Sequence, residues 1–200
     1  NVDRGQRQRY TIGLTAYRIG INYTNNLNFI NVIEPEMRAF AKEVGKTVFF
    51  GVRSDHEVVY ICKTEPENPI ITTATVGTKN PMYCTSLGKA ILAYSDEETC
   101  GQIMARMKFK KHTERTITDR ESLKRELERV RDQGYALDER EVEEHMECVG
   151  APVFGPDGSV VGALSVSSLY KPTEDYEQLG RLTAKKAAEV SKLLGFLGKI

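Results

Sequence analysis

Residues 81–94 read Pro-Met-Tyr-Cys-Thr-Ser-Leu-Gly-Lys-Ala-Ile-Leu-Ala-Tyr, a proline-led turn that runs through small hydroxyl residues into an apolar helix. The first amides of such a helix have no intrahelical acceptor, and the helix dipole makes that end partly positive. With Thr85 or Ser86 near the cap, the end can hold a carboxylate or phosphate without any basic side chain. The ordinary alternative is a helix capped by its own chain that binds nothing. The local sequence leaves both readings open.

Two hundred residues suit one domain, or one domain with an appendage. Lys and Arg number 28, as do Asp and Glu, so the formal net charge is zero, and a stand-alone nucleic-acid-binding module would carry a basic excess. The four cysteines (Cys62, Cys84, Cys100, Cys148) form no C-x-x-C pair, which argues against a disulfide framework or zinc ribbon and fits a reducing cytoplasm. No apolar run approaches the ~20 residues that cross a bilayer, and no signal peptide opens the sequence. A cytoplasmic protein without a membrane partner is expected.

The pattern along the chain is mixed. Residues 1–10 carry Arg4, Arg7 and Arg9 without apolar periodicity and read as an exposed strand or tail, and residues 11–25 read as a helix. Ile33, Met37, Phe40, Ala41 and Val44 form a helical stripe with Pro35 in its first turn and Gly45 at its end. Three β-rich runs follow at 47–53, 58–63 and 70–76, the first two joined by Ser54-Asp55-His56-Glu57. Ser95-Asp96-Glu97-Glu98 and Thr118-Asp119-Arg120-Glu121 read as capping boxes, and the second helix buries Leu123, Leu127 and Val130 and stops at Gly134. Strands at 148–154 and 160–167 flank the turn Gly155-Pro156-Asp157-Gly158, and a final helix spans about 173–197. Together these make an α+β domain with helices covering a mostly antiparallel sheet.

Ser165 and Ser167 sit two apart on a strand, so both hydroxyls share one face with Ala163. Solvent exposure is the plain explanation of such a face; if a helix covers it, the hydroxyls need partners, and a polar ligand supplies them. Cys148 opens the neighbouring strand, where a lone cysteine is usually a small buried hydrophobe. Asp138 begins an acidic run that includes Glu141 and His145, neighbours at i, i+4 if helical, although the other histidines are too remote in sequence to support a metal site. Ser86-Leu87-Gly88-Lys89 matches S-x-x-K, but the accompanying S-D-N and K-T-G triplets are absent; a phosphate loop would need Gly at Tyr83 and Ser or Thr at Ala90.

Five segments in register resemble the effector-binding domain of the IclR family of bacterial transcriptional regulators. They are Tyr83-Cys84-Thr85-Ser86-Leu87-Gly88-Lys89-Ala90, Thr116-Ile117-Thr118-Asp119, Gly134-Tyr135-Ala136-Leu137-Asp138, Cys148-Val149-Gly150-Ala151-Pro152-Val153 and Gly162-Ala163-Leu164-Ser165-Val166-Ser167. The resemblance implies a GAF-like, profilin-like antiparallel sheet flanked by helices over residues 26–200. It also implies that residues 1–25 are the end of a wing and the linker helix of a winged helix-turn-helix domain whose remainder would precede Asn1. DNA would be contacted only through that domain, and homodimers or homotetramers are expected. By position, the effector, a small organic carboxylate, would be held by the amides of Ser86 and Leu87 and the hydroxyls of Ser165 and Ser167. Asp138 and Cys148 would line its polar side, and Met146 would supply an apolar wall. Some relatives carry two small residues where this chain has Ser86-Leu87, so the leucine can narrow or reshape the pocket. No catalytic residue, metal or cofactor is expected. The alternative is a GAF-like thiol enzyme using Cys84 or Cys148, the former favoured by its place before a helix N-terminus.

Overall fold

The computed structural model describes residues 14–15, 28–69 and 74–198. Its elements, in chain order, are α1 (Asn28–Val44), β1 (Thr47–Ser54), β2 (Glu57–Thr64), β3 (Lys79–Pro81), a 3-10 turn (Met82–Cys84), α2 (Ser86–Tyr94), α3 (Glu97–Arg106), α4 (Arg120–Gln133), β4 (Ala136–Glu139), β5 (Met146–Phe154), β6 (Val160–Leu169) and α5 (Tyr176–Leu193). The strands make one antiparallel sheet in the order β3-β2-β1-β6-β5-β4. This is the expected α+β, GAF-like architecture.

The strand alternation sorts side chains onto two cores. Val48, Phe50, Leu164 and Val166 face α1 and α5, packing with Ile33, Met37, Phe40 and Leu179. Phe49 and Ala163 face α2, α3 and α4, packing with Leu87, Ile91, Ile103, Leu123 and Leu127. Eight of the nine residues of α2 are buried, from Ser86 to Ala93. Burial of Leu87, Ile91 and Leu92 contributes about 1.5–3 kcal/mol each, which holds the helix across the sheet despite its length. Gly134 ends α4 with φ of 84°, a left-handed conformation that any side chain would strain.

Several expectations are revised. Helix α1 begins at Asn28, so Pro35 lies inside it rather than in its first turn. The missing Pro35 amide leaves the Asn31 carbonyl without its i+4 donor, a loss that the solvent side of the helix tolerates. In both presumed capping boxes the aspartate caps: Asp96 accepts from the Thr99 amide and Asp119 from the Ser122 amide, each at 2.8 Å. The third β run is not a strand where it is described. Residues 70–73 lie outside the described residues, residues 74–76 lead into a turn, and the edge strand is the short β3. The final helix is shorter than read, 176–193. Of the helix read at 11–25 only residues 14–15 are described, and they are helical; the tail at 1–10 lies outside the described residues.

Candidate functional site

The face carrying Ala163, Ser165 and Ser167 is covered, not solvated; the three residues are 0%, 2% and 7% exposed. The cover is the start of α2. Thr85 caps it: its Oγ1 accepts from the Gly88 amide at 3.2 Å and donates to the Pro81 carbonyl at 2.9 Å. The Ser86 and Leu87 amides precede any intrahelical acceptor. They reach the sheet because β5 has glycine beneath them. A Cβ on Gly150 would lie 2.6 Å from the Ser86 carbonyl carbon and 3.0 Å from the Leu87 nitrogen. Gly150 pairs with Ser165 across the β5–β6 ladder, and the next step on the same face pairs Cys148 with Ser167.

Beside that contact lies a cavity of about 50 Å³, lined by Phe49, Tyr60, Ala74, Asn80, Thr85, Asp138, Val142, Glu143, Met146, Cys148 and Ser167. One water needs roughly 10–15 Å³ by this measure, so the space suits a handful of heavy atoms. Of the seven candidates, Asp138, Met146, Cys148 and Ser167 line it. Ser86, Leu87 and Ser165 stand one ladder step inward, grouped about Gly150.

The polar walls are ordered. The Cys148 thiol donates to Ser167 Oγ at 3.2 Å. Asn80 Nδ2 donates to the Tyr60 hydroxyl at 3.2 Å, and burial pushes the Tyr60 phenol up, so it stays protonated. Asp138, on β4 opposite Cys148, accepts the Glu141 amide at 2.8 Å. Burial foremost, then the nearby Glu141 carboxylate, pushes Asp138 up to about 7 against the pull of Lys89. Around neutrality this carboxyl can be either a hydrogen-bond donor or an acceptor.

Behind it sits a buried ion cluster that sequence reasoning passed over. Lys89, 1% exposed, donates to Glu126 at 3.2 Å and to Glu141. Burial alone would depress the ammonium, but Glu141 and Glu126 together hold Lys89 above its ordinary value. Conversely, burial raises Glu141, and Lys89 opposes this. The only sequence signal was a lone lysine inside Leu87-Gly88-Lys89-Ala90-Ile91-Leu92. Nothing in sequence marked Tyr60 or Asn80, which reach the cavity only once β2 and β3 have paired with the sheet.

Two chemical alternatives fail. Residues 140–145 form a loop, not a helix, so Glu141 and His145 do not share a face. Among the described residues no group of three His, Cys, Asp or Glu could hold a metal ion. The thiols are the wrong kind for catalysis: burial, then the Asp138 carboxylate, pushes both Cys84 and Cys148 up, away from thiolate. Cys84 lies in the 3-10 turn, wholly buried, so desolvation outweighs the helix end it precedes. No helix among the described residues is long and apolar enough to cross a membrane.

Comparison with known proteins gives the same assignment. The family model for the bacterial transcriptional regulator IclR C-terminal domain matches residues 21–192. The HTH-type transcriptional regulator KdgR of Escherichia coli K12 is 30% identical over 194 residues, covering 96% of this chain and 74% of KdgR. The HTH-type transcriptional repressor AllR of Salmonella typhi is 31% identical over 186 residues, covering 92% of this chain and 68% of AllR. The crystal structure of Thermotoga maritima IclR superposes with a TM-score of 0.81 at 31% identity, over 98% of this chain and 80% of that one. The C-terminal domain of E. coli KdgR gives 0.75 at 31% identity, over 84% of this chain and 99% of that domain. These relatives are named as regulators and repressors, not enzymes. The chain belongs to the IclR family of transcriptional regulators and carries its effector-binding domain.

Proposed function

We propose that this domain senses a small organic carboxylate in the cavity beside the α2 N-terminus. What carries the reading is a small cavity lined by Thr85, Asp138, Met146, Cys148 and Ser167, with the start of α2 and Ser165 packed one ladder step inward from it. The effector carboxylate would lie at the cavity's inner end, toward the Ser86 and Leu87 amides and the two serine hydroxyls. Asp138 and Cys148 would meet its polar substituent, and Met146 its apolar side. A space this small admits a compact acid more readily than a bulky one.

Effector binding would alter subunit packing in a homodimer or homotetramer and, through it, DNA binding by an N-terminal winged helix-turn-helix domain of the intact cytoplasmic protein. A ligand shifts such an equilibrium only by its differential affinity for the two packings. Thermal-shift screening of keto, hydroxy and aromatic acids tests the sensing step. A true effector stabilises by about 2.7 kcal/mol at a hundredfold excess over its Kd. The reading is abandoned if no acid stabilises the parent, or if the Ser165→Ala/Ser167→Ala variant responds as the parent does.

A further inference from the structure

The chain is neutral overall, yet residues 106–112 read Arg-Met-Lys-Phe-Lys-Lys-His, with no acid among them. Two of those cations are spoken for: Arg106 pairs with Asp55 and Lys111 with Glu114. Lys108 and Lys110 are exposed and have no carboxylate partner among the described residues. They face a cleft of about 270 Å³ that also holds His56, Glu57, Tyr83 and His112.

The loop is fixed in place rather than draped over the surface. Tyr83, 2% exposed, accepts the Lys110 amide and donates to the Lys110 carbonyl, both at 2.9 Å. Its hydroxyl also lies 3.3 Å from His112 Nε2, and its ring meets Phe109 at 4.9 Å. Thr116 Oγ1 accepts the His112 and Thr113 amides at 3.0 and 2.8 Å. A cationic loop held this way binds an anion without the cost of ordering itself.

We propose that this cleft is a second ligand site, distinct from the effector cavity, that takes a small phosphate-bearing anion of at least two negative charges. The ammonium groups of Lys108 and Lys110 bring six N–H donors between them, more than a single carboxylate can accept, whereas a phosphoryl group presents three strong acceptor oxygens. Glu57 is the one acid on the wall and accepts a hydroxyl or amine from the rest of the ligand. A concave cleft with Tyr83 in its wall fits a compact anion better than the extended backbone of a nucleic acid. The site also shares a wall with the effector cavity. Pro81 and Tyr83 line the cleft, while Asn80 and Thr85 of the same short segment line the cavity.

The test uses pyrophosphate as probe on this chain at constant ionic strength, with sulfate as control. Calorimetry should show saturable binding of one equivalent, at least tenfold tighter than sulfate. The Lys108→Gln/Lys110→Gln variant, whose altered side chains are exposed, should bind at least tenfold more weakly with an unchanged circular dichroism spectrum. The chain has three histidines, so ring-proton NMR locates the site: His56 and His112 should move on titration and His145 should not. Pyrophosphate binding no tighter than sulfate, an unchanged affinity in the variant, or a shift at His145 alone overturns the proposal. So does a duplex DNA that binds this loop and is not displaced by pyrophosphate, which would make the patch a nucleic-acid surface.

Discussion

Replacing Asp138 by asparagine isolates the cost of the buried carboxyl. The amide oxygen can still accept the Glu141 amide, so the bond at 2.8 Å is retained and only the titration is lost. In the folded chain Asp138 is pushed to about 7, from an ordinary 3.8. Between those two values the folded protein keeps a proton that the unfolded chain has already released. Stability from this group is therefore present at low pH and is lost as the pH rises toward and through 7. At about 1.4 kcal/mol per pH decade, ionising Asp138 costs about 4 kcal/mol once fully developed. About 2 kcal/mol of that accrues between pH ~5.5 and ~8.5. Asp138→Asn does not pay it, so the variant should gain on the parent with rising pH. Urea unfolding of both proteins at the two pH values, in one buffer system at fixed ionic strength, measures the gap. A gap that stays flat across this window, or narrows, refutes the claim that a desolvated carboxyl lines the cavity.

Lys89→Met should destabilise the chain by about 3–5 kcal/mol in chemical denaturation, because Glu126 and Glu141 are left beside each other without their cation. Adding Glu141→Gln should recover part of that loss, and no recovery would mean the cluster is not electrostatically coupled. Gly150→Ala places a methyl against the Ser86–Leu87 peptide backbone, which must move; a loss of about 1–3 kcal/mol is expected, with loss of the thermal response to any carboxylate hit. Cys148 should be alkylated by iodoacetamide at neutral pH far more slowly than in the urea-unfolded chain, since its half-buried thiol, beside the Asp138 carboxyl, stays protonated; equal rates would contradict the site electrostatics. For a carboxylate hit, affinity should fall with pH above about 7, approaching tenfold per pH unit, as a second negative charge meets ionised Asp138.

Local chemistry carried much of the fold into view. The Thr85 cap, the Gly134 stop and the Gly155-Pro156-Asp157-Gly158 turn each act within a few residues and stand where the sequence placed them. Errors arose where neighbours several turns away decided the outcome. Pro35 looked like a helix start because its own ring favours one, yet upstream residues extend α1 past it. The acidic run that begins at Asp138 carried no sign of burial in sequence, yet Asp138 and Glu141 are buried, and Lys89 comes from another element to pair with Glu141.

The sequence by itself determined most of the helices and the central strands, the helix whose first amides suit an anion, and the shared face of Ser165 and Ser167. Those properties follow from backbone geometry and the alternation of side chains along one element. Only the tertiary structure decided that this serine face lies under α2, that Gly150 lets the helix start touch the sheet, and that Tyr60, Asn80, Asp138 and Cys148 close one cavity. Those outcomes depend on pairing across strands far apart in the chain. A residue's burial, and with it the proton affinity of a group such as Asp138, is set by whatever the fold brings against it.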